Sequence, residues 1–358
     1  MTTLLAVLLV PLSGNVAGAA WEGKFADDSN CVAVNPRLVL DGQMYPHIAH
    51  YDVNNQSLKY IFYDGGNWNS TLIDPGHSRD VSGLALDHNG QAHLAYVRDD
   101  GLGYGVKTGG IWNYGLLVSN LNAGESSADL AVDSMGSPHM AYASNLEGGV
   151  MYVSYNGSQV VAESLNMAGT KVAVGVDGVG NPAVAFVTIP TAGRTYGHLV
   201  CARKVGGNWI IEAIDTGVQV WGAIDLVVDP GSRIHIVYRN WQDGQVRHAM
   251  FDGRAWGLQV ASPNAGPAGI QRITTDSGGN PHIIFSTVAG DSSVLRYASR
   301  DADAGSWLNE DVTTGLDADI AVDPLGRPHV AHGQSAGDRV PKPWPVKNCA
   351  VLKYAIRK

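Results

Sequence analysis

D-S-G-G-N-P-H-I-I-F, Asp276 to Phe285, is one copy of a sentence the chain repeats. An Asp is followed six residues later by a His, with Gly and often Pro between them. An apolar run leads in and an apolar-aromatic run leads out. Copies begin at Asp41, Asp87, Asp133, Asp177, Asp229, Asp276 and Asp323, at spacings of 46, 46, 44, 52, 47 and 47 residues. Six carry the His, at His47, His93, His139, His235, His282 and His329, and the fourth has Ala183. A period of this size marks an array of supersecondary units that bury their apolar faces only against each other.

Reading outward from the first copy gives the unit. Leu38–Leu40 is a short apolar strand, Asp41–Tyr45 a turn and Pro46–Tyr51 a second strand. Leu58–Tyr63 is a third strand, Asp64–Asn67 a turn, and Trp68–Ile73 a fourth. Short alternating runs bounded by Gly, Asp and Asn are strands joined as hairpins. No window holds a helical period. Later copies repeat the last turn before Trp112, Trp209, Trp256 and Trp307, while the third copy lacks the Trp. Four antiparallel strands repeated radially are a propeller blade. The seventh copy ends after its third strand, Leu352–Ala355, and Ala20–Phe25 has the Trp-led character of the missing fourth. The expected fold is all-β: a seven-bladed β-propeller of four-stranded blades over 21–358, closed when the N-terminal strand completes the last blade. Such closure hides two strand edges.

Composition narrows the rest. Leu4–Leu12 is apolar and Ala17-Gly18-Ala19-Ala20 offers small residues for cleavage, so residues 1–20 read as a signal peptide, although Met1-Thr2-Thr3 lacks a basic residue. The protein is therefore expected to be secreted, in the periplasm or outside the cell. The apolar run is too short to span a membrane. With 33 acidic against 24 basic residues, net charge -9, the chain is not a general nucleic-acid binder. A monomer is expected. Three cysteines give no disulfide framework. Cys31 and Cys349 fall near the seam between blades seven and one and either pair or remain thiols, and Cys201 lies in an apolar strand.

The regularity of the Asp and His argues for a structural role. Residues present in nearly every blade are spread around a ring and cannot form one cluster. The Asp is expected to accept backbone N–H groups of its own turn, and Gly to supply the positive φ. The His is expected to bond backbone or the neighbouring blade, and the Trp residues to pack between blades.

D-x-x-G-x-P-H, with the later turns Asp64-Gly65-Gly66-Asn67-Trp68 and Asp252-Gly253-Arg254-Ala255-Trp256, resembles the degenerate Asp-box repeats of sialidase-like propellers. The likeness covers the whole mature chain and speaks to architecture. It departs from sialidases in blade number, since those have six, and their arginine triad, Tyr–Glu pair and acidic residue have no counterpart set here. The chain is also similar to secreted seven-bladed polysaccharide lyases of the ulvan lyase type, which implies a His/Tyr/Arg centre.

A site belongs among the residues that do not repeat. Long loops on a rigid scaffold commonly carry function, and two are enlarged: Thr188–Tyr196 in blade four and Gln334–Asn348 in blade seven. One central site is expected on the face where the fourth-to-first and second-to-third strand loops meet. For β-elimination on a uronic-acid-containing glycan, His77 is expected to neutralise the carboxylate or act as base, Tyr142 to act as base or acid, and Arg79 or Arg239 to hold the carboxylate. Trp221 and Trp241 can stack on sugar rings, with Arg98, Lys171, Arg194, Tyr196, His198 and Arg272 as further substrate contacts. No cofactor is required by this chemistry, and a structural metal ion stays open. The alternative is a lectin-like or surface-interaction propeller without catalysis. A glycoside hydrolase is the third reading, with Asp80, Glu125 and Asp317 as its carboxylates. In each case the partner is a polysaccharide or glycan.

Overall fold

The computed structural model describes residues 20–27, 34–52, 55–119, 127–144, 149–155, 158–188, 197–220, 222–266, 269–289, 292–301, 305–315, 317–335 and 350–358. Its strands form seven four-stranded antiparallel sheets, the blades of a β-propeller. Blade one is β2 (Val34–Leu40), β3 (Pro46–Asp52), β4 (Ser57–Tyr63) and β5 (Trp68–Ile73). Blade two is β6 (Ser78–Leu86), β7 (Ala92–Arg98), β8 (Gly101–Thr108) and β9 (Ile111–Ser119). Blade three is β10 (Ala128–Val132), β11 (Pro138–Ser144), β12 (Gly149–Tyr155) and β13 (Val160–Ser164). Blade four is β14 (Gly169–Val176), β15 (Pro182–Thr188), β16 (Gly197–Val205) and β17 (Asn208–Val220). Blade five is β18 (Asp225–Val228), β19 (Ile234–Arg239), β20 (Val246–Phe251) and β21 (Trp256–Ser262). Blade six is β22 (Gln271–Thr275), β23 (Pro281–Ala289), β24 (Ser292–Arg300) and β25 (Trp307–Thr314). Blade seven is β26 (Ala318–Val322), β27 (Pro328–Ser335) and β28 (Ala350–Arg357), completed by β1 (Trp21–Asp27).

The closure is as the sequence predicts. Trp21 pairs Arg357 and Lys24 pairs Tyr354 in antiparallel register, and the Lys358 N–H donates to the Ala20 carbonyl at 3.1 Å. The first strand of blade one begins four residues earlier than the apolar run suggests, because polar Asn35 and Arg37 belong to it.

There is no single core. The buried apolar residues form seven clusters, one at each seam between consecutive blades. The Trp residues act at these seams. Trp68 meets Tyr354, Trp112 meets Tyr60, Trp209 meets Tyr152, Trp307 meets His248 and Trp21 meets Tyr297, each edge-on at 5.0–5.9 Å between ring centroids. Such pairs add about 1 kcal/mol beyond the area they bury.

The repeated Asp does two jobs. In blade one Asp41 Oδ1 accepts the N–H groups of Gln43 and Tyr45 at 2.9 and 2.8 Å, closing the turn. Its Oδ2 faces His47 Nε2 at 3.5 Å. The same arrangement recurs with His–Asp separations of 3.2–3.8 Å in the other five His-bearing blades. The other ring nitrogen finds a partner in its own blade rather than the expected backbone or neighbouring blade. A tyrosine hydroxyl donates to it: Tyr60 to His47, Tyr104 to His93, Tyr152 to His139, Tyr297 to His282 and Tyr354 to His329. In blade five His248 takes the place of the tyrosine, at 3.0 Å from His235.

Blade four lacks both members. Ala185 pairs Cys201 where Ala49 pairs Tyr60, so Cys201 stands at the tyrosine position and Ala183 at the histidine. The pair was replaced as a unit, because a buried hydroxyl or imidazole left alone would be unsatisfied. Phe251 of blade five occupies part of the space, with the Arg203 guanidinium 3.9 Å above its ring. Cys201 is a fully buried thiol, pushed up to about 12 by that burial.

Candidate functional site at the axial mouth

The seven inner strands surround the propeller axis, and each exposes an unpaired edge to the channel. Side chains alternate along a regular strand, so positions four and six residues before the repeat Asp share one face; in the bulged strands of blades two and four Val81 and Ala173 pack into the seams instead. Four before, the ring reads Arg37, Gly83, Asp129, Ala173, Asp225, Arg272 and Asp319. Six before, it reads Asn35, Val81, Ser127, Lys171, Ala223, Ile270 and Asp317. The flanking positions hold the apolar residues of the seams. Charge has thus been placed on one face of strands whose other face is core.

Three of the carboxylates stitch neighbouring blades. Asp129 accepts the Val174 N–H at 2.9 Å, Asp225 the Ile273 N–H at 2.8 Å and Asp319 the Leu38 N–H at 2.8 Å. These are inner-edge donors that would otherwise lack a strand partner. Burial raises Asp129 and Asp319 above the usual carboxylate range, and Arg37 opposes it in both. Burial works against the Arg37 charge, but Asp129, Asp319, Asp225 and Asp80 together outweigh it and hold the guanidinium above its ordinary value. Arg272 is shifted down, first by burial and then by Arg37.

Above this ring the channel opens into a polar cavity of about 300 Å³, lined among others by Asn35, Arg37, Asp80, Ser127, Lys171 and Arg272. The inner strands of blades one, two and four are irregular there, with register shifts at residues 34–37, 78–83 and 170–173. Asn35 (φ 51°) and Lys171 (φ 53°) sit in the left-handed region within two of these bulges. A non-glycine residue in that region costs about 1 kcal/mol or more, and such strain clusters where a side chain must be aimed. Asn35 Nδ2 donates to both oxygens of Asp80 at 2.9 Å. Burial raises Asp80 and Asp317 despite hydrogen bonds to their carboxyls from Asn35. The mouth therefore offers cations, amide and hydroxyl groups, and carboxyls biased toward their proton-carrying form.

The sequence-predicted residues are not all brought together here. Lys171 and Arg272 line the cavity, as does Asp80 of the hydrolase reading. His77 is exposed in the turn before β6, and Arg79, also exposed, pairs with Asp99. Tyr142 is 1% exposed inside the seam between blades two and three. Arg239 is fully buried, and donates to the carbonyls of Ala265, Gly266 and Ser286 at 2.9, 3.1 and 2.7 Å. Burial lowers it to about 10. Tyr142 and Arg239 thus hold the fold, and the proposed His77–Tyr142–Arg79–Arg239 centre does not converge. Arg98 joins Asp74 and Asp100 in an ion-pair network that also takes the Tyr96 hydroxyl. His198 is half-buried, its N–H donating to Thr188 Oγ1 at 3.0 Å, and the Trp241 N–H donates to the Gln219 carbonyl at 2.8 Å. Trp221, Arg194, Tyr196, Glu125, Cys31 and Cys349, the signal-like segment before residue 20 and most of both enlarged loops lie outside the described residues.

Sequence reasoning passed over Arg37, Asn35, Asp129, Asp225 and Asp319. The signal was present: a charged residue at one fixed place in an otherwise apolar strand, visible once the copies are aligned on the Asp.

No family model and no curated protein matches the chain. Among solved structures it is similar to virginiamycin B lyase from Staphylococcus aureus in a catalytically inactive form with quinupristin, at 11% identity and TM-score 0.60, over 94% of this chain and 99% of that one. It is similar to AofleA from Arthrobotrys oligospora, at 13% identity and TM-score 0.56, over 82% and 90%. It is also similar to the Aleuria aurantia lectin in complex with alpha-methyl-L-fucoside, at 13% identity and TM-score 0.52, over 79% and 97%. At such identities the likeness shows the fold alone, and the fold is a seven-bladed β-propeller.

Proposed function

We propose that this is a carbohydrate-binding propeller with one ligand site at the axial mouth and no catalytic turnover. The observation that carries the reading is the mouth itself. Six residues before the repeat Asp, four blades hold four different polar side chains, Asn35, Ser127, Lys171 and Asp317, and three hold Val81, Ala223 and Ile270, whereas a per-blade binder would repeat one residue. Interleaved donors and acceptors suit a polyhydroxylated ring, and Lys171 with Arg272 adds a preference for an acidic sugar. That a similarly folded lectin is described with a fucoside supports glycan binding as a use of this architecture. The signal-like leader supports an extracellular setting.

The lyase reading is second. It is favoured by exposed His77 at the rim of the same face, and by the Asp-box-like turns shared with carbohydrate-active propellers. Its assigned partner Tyr142 is enclosed in the seam between blades two and three, and the carboxylate that senses His77 is Asp100, already paired with Arg98.

A glycan array followed by calorimetry tests the first reading. Binding without release of an ultraviolet-absorbing unsaturated product is expected, with affinity falling about tenfold or more in Lys171→Ala and in Asp80→Asn. An array with no hit, or affinity unchanged in both variants, sinks the axial site. An unsaturated product from a uronate polymer, abolished in His77→Ala, replaces it with the lyase.

A further inference from the structure

The opposite face of the ring, where the first strand of each blade turns into the second, carries a different departure from the repeat. The third residue after the Asp sits in the left-handed region in every blade. It is Gly in five of them: Gly90, Gly136, Gly180, Gly279 and Gly326, at φ 75–88°. Blade five has Ser232 at φ 61°, and blade one has Met44 at φ 67°. A long side chain there is strained whatever room surrounds it. The next residue is Gln91, Ser137, Asn181, Arg233, Asn280 or Arg327 in six blades, and Tyr45 in blade one. Two adjacent turn positions that are otherwise small or polar have become large and apolar in a single blade.

Both line one cavity. It lies at the seam of blades seven and one, holds about 290 Å³, and is walled by Met44, Tyr45, Tyr63, Trp68 and Tyr354. Tyr45 and Tyr63 meet edge-on at 5.6 Å, Tyr63 tilts against Trp68 at 5.4 Å, and Trp68 meets Tyr354 at 5.9 Å. Met44, Tyr45, Tyr63 and Trp68 are only half-buried. Arg327 closes one side. Its Nε donates to buried Asp323 at 2.7 Å, and another guanidinium nitrogen lies 4.0 Å from Met44 Sδ. The side chain remains 42% exposed, so its free edge faces the opening. Lys24 adds a second cation at the rim, and the nearby Glu22 is taken up by Lys358.

We propose that this seam pocket binds a small aromatic carboxylate. The aromatic wall and the Met thioether take a flat ring, the cavity has the size of a small-ligand site, and Arg327 with Lys24 receives the anion. The strained turn makes the assignment specific. Glycine would serve the turn better at position 44, and the methionine there lines the cavity with its thioether against Arg327.

The probes are indole-3-acetate and its uncharged counterpart indole-3-ethanol, titrated calorimetrically into the intact protein. The acetate is expected to bind, and the alcohol about tenfold more weakly. Met44→Gly and Tyr45→Gln should each weaken acetate binding about tenfold. Met44→Gly should do so with a thermal midpoint no lower than the parent's, because it restores the residue five other blades use. In Arg327→Gln the difference between acetate and alcohol should shrink, and in the double variant Lys24→Gln/Arg327→Gln it should vanish. Three results overturn the proposal: neither probe binds the parent, acetate affinity survives in both turn variants, or Met44→Gly lowers the midpoint as a core truncation does. The site is independent of the axial mouth, so either can fail without the other.

Discussion

The Asp–His–Tyr group shows how one residue type acquires a structural task by repetition. Each histidine is buried, neutral, and held between a carboxylate and a phenol, or in blade five between Asp229 and the His248 imidazole. Burial is the largest influence on His139, and it lowers the ring's affinity for protons despite the nearby Asp133. The tautomer is fixed, with Nε2–H toward Asp133 and Nδ1 accepting from Tyr152. Replacing His139 with Ala removes the ring and strands both partners. The expected cost is about 3 kcal/mol in denaturant-induced unfolding, combining a cavity with a buried unsatisfied hydroxyl. Tyr152→Phe, which removes one hydrogen bond and no volume, should cost about 1 kcal/mol. Equal losses in the two would show that packing alone is at stake. The sequence made the Asp and His legible because their spacing is rigid, being confined to one turn. The tyrosine was not legible. It lies across a loop whose length varies, at 13 residues from His47 but 25 from His329.

At the scale of elements, the seams carry the stability and the closing strand carries the seventh blade. β1 contributes the outer strand and also Trp21, whose indole N–H donates to Glu310 of blade six at 3.0 Å. Trp209 donates in the same way to Glu163 of blade three and Trp307 to Gln259 of blade five. Trp21→Ala should therefore cost about 2 kcal/mol through lost seam packing. Deleting residues 21–27 leaves β28 as an open edge, and self-association is expected on light scattering alongside a lower thermal midpoint. A monomeric deletion variant of unchanged midpoint would contradict this role. Strand number, order and closure were all readable from spacing, because blades differ little and turns are punctuated by Gly and Asp. The axial mouth was only partly readable. Lys171 and Arg272 stood out as charged residues near loops, but the bulges that aim Asn35 and Lys171 depend on contacts between blades, which no local pattern encodes. Tyr142 and Arg239 misled for the reverse reason: polar atoms at strand ends look available until the neighbouring blade covers them.

For the whole molecule the repeated histidines add up to a pH dependence. His47, His93, His139, His235, His282 and His329 are all lowered by burial, and burial takes His332 to about 4 and His248 to about 3. A group with a depressed folded value resists protonation only while folded, so the unfolded chain binds more protons in acid. The stability is full above about pH 6.5 and is lost as pH falls toward the folded values. Asp229, Asp276 and Asp323, held low by hydrogen bonds from their own turns despite burial, extend the loss further into acid. Asp80, Asp129, Asp317 and Asp319 oppose it, since raised carboxyls favour the folded state as they take up protons. They are fewer than the histidines, so calorimetry should show the midpoint falling between about pH 7 and pH 5. A flat or rising profile would mean that the axial carboxyls dominate. The hydrogen bond from Lys358 to Ala20 has a consequence of another kind. Because the two ends of the described chain meet within one blade, the ring has no privileged starting point. A chain that joins Lys358 to Ala20 through a short linker and opens instead at the exposed Gly109-Gly110 turn should fold to the same propeller, with the Asp–His–Tyr groups intact and the break moved from blade seven to blade two.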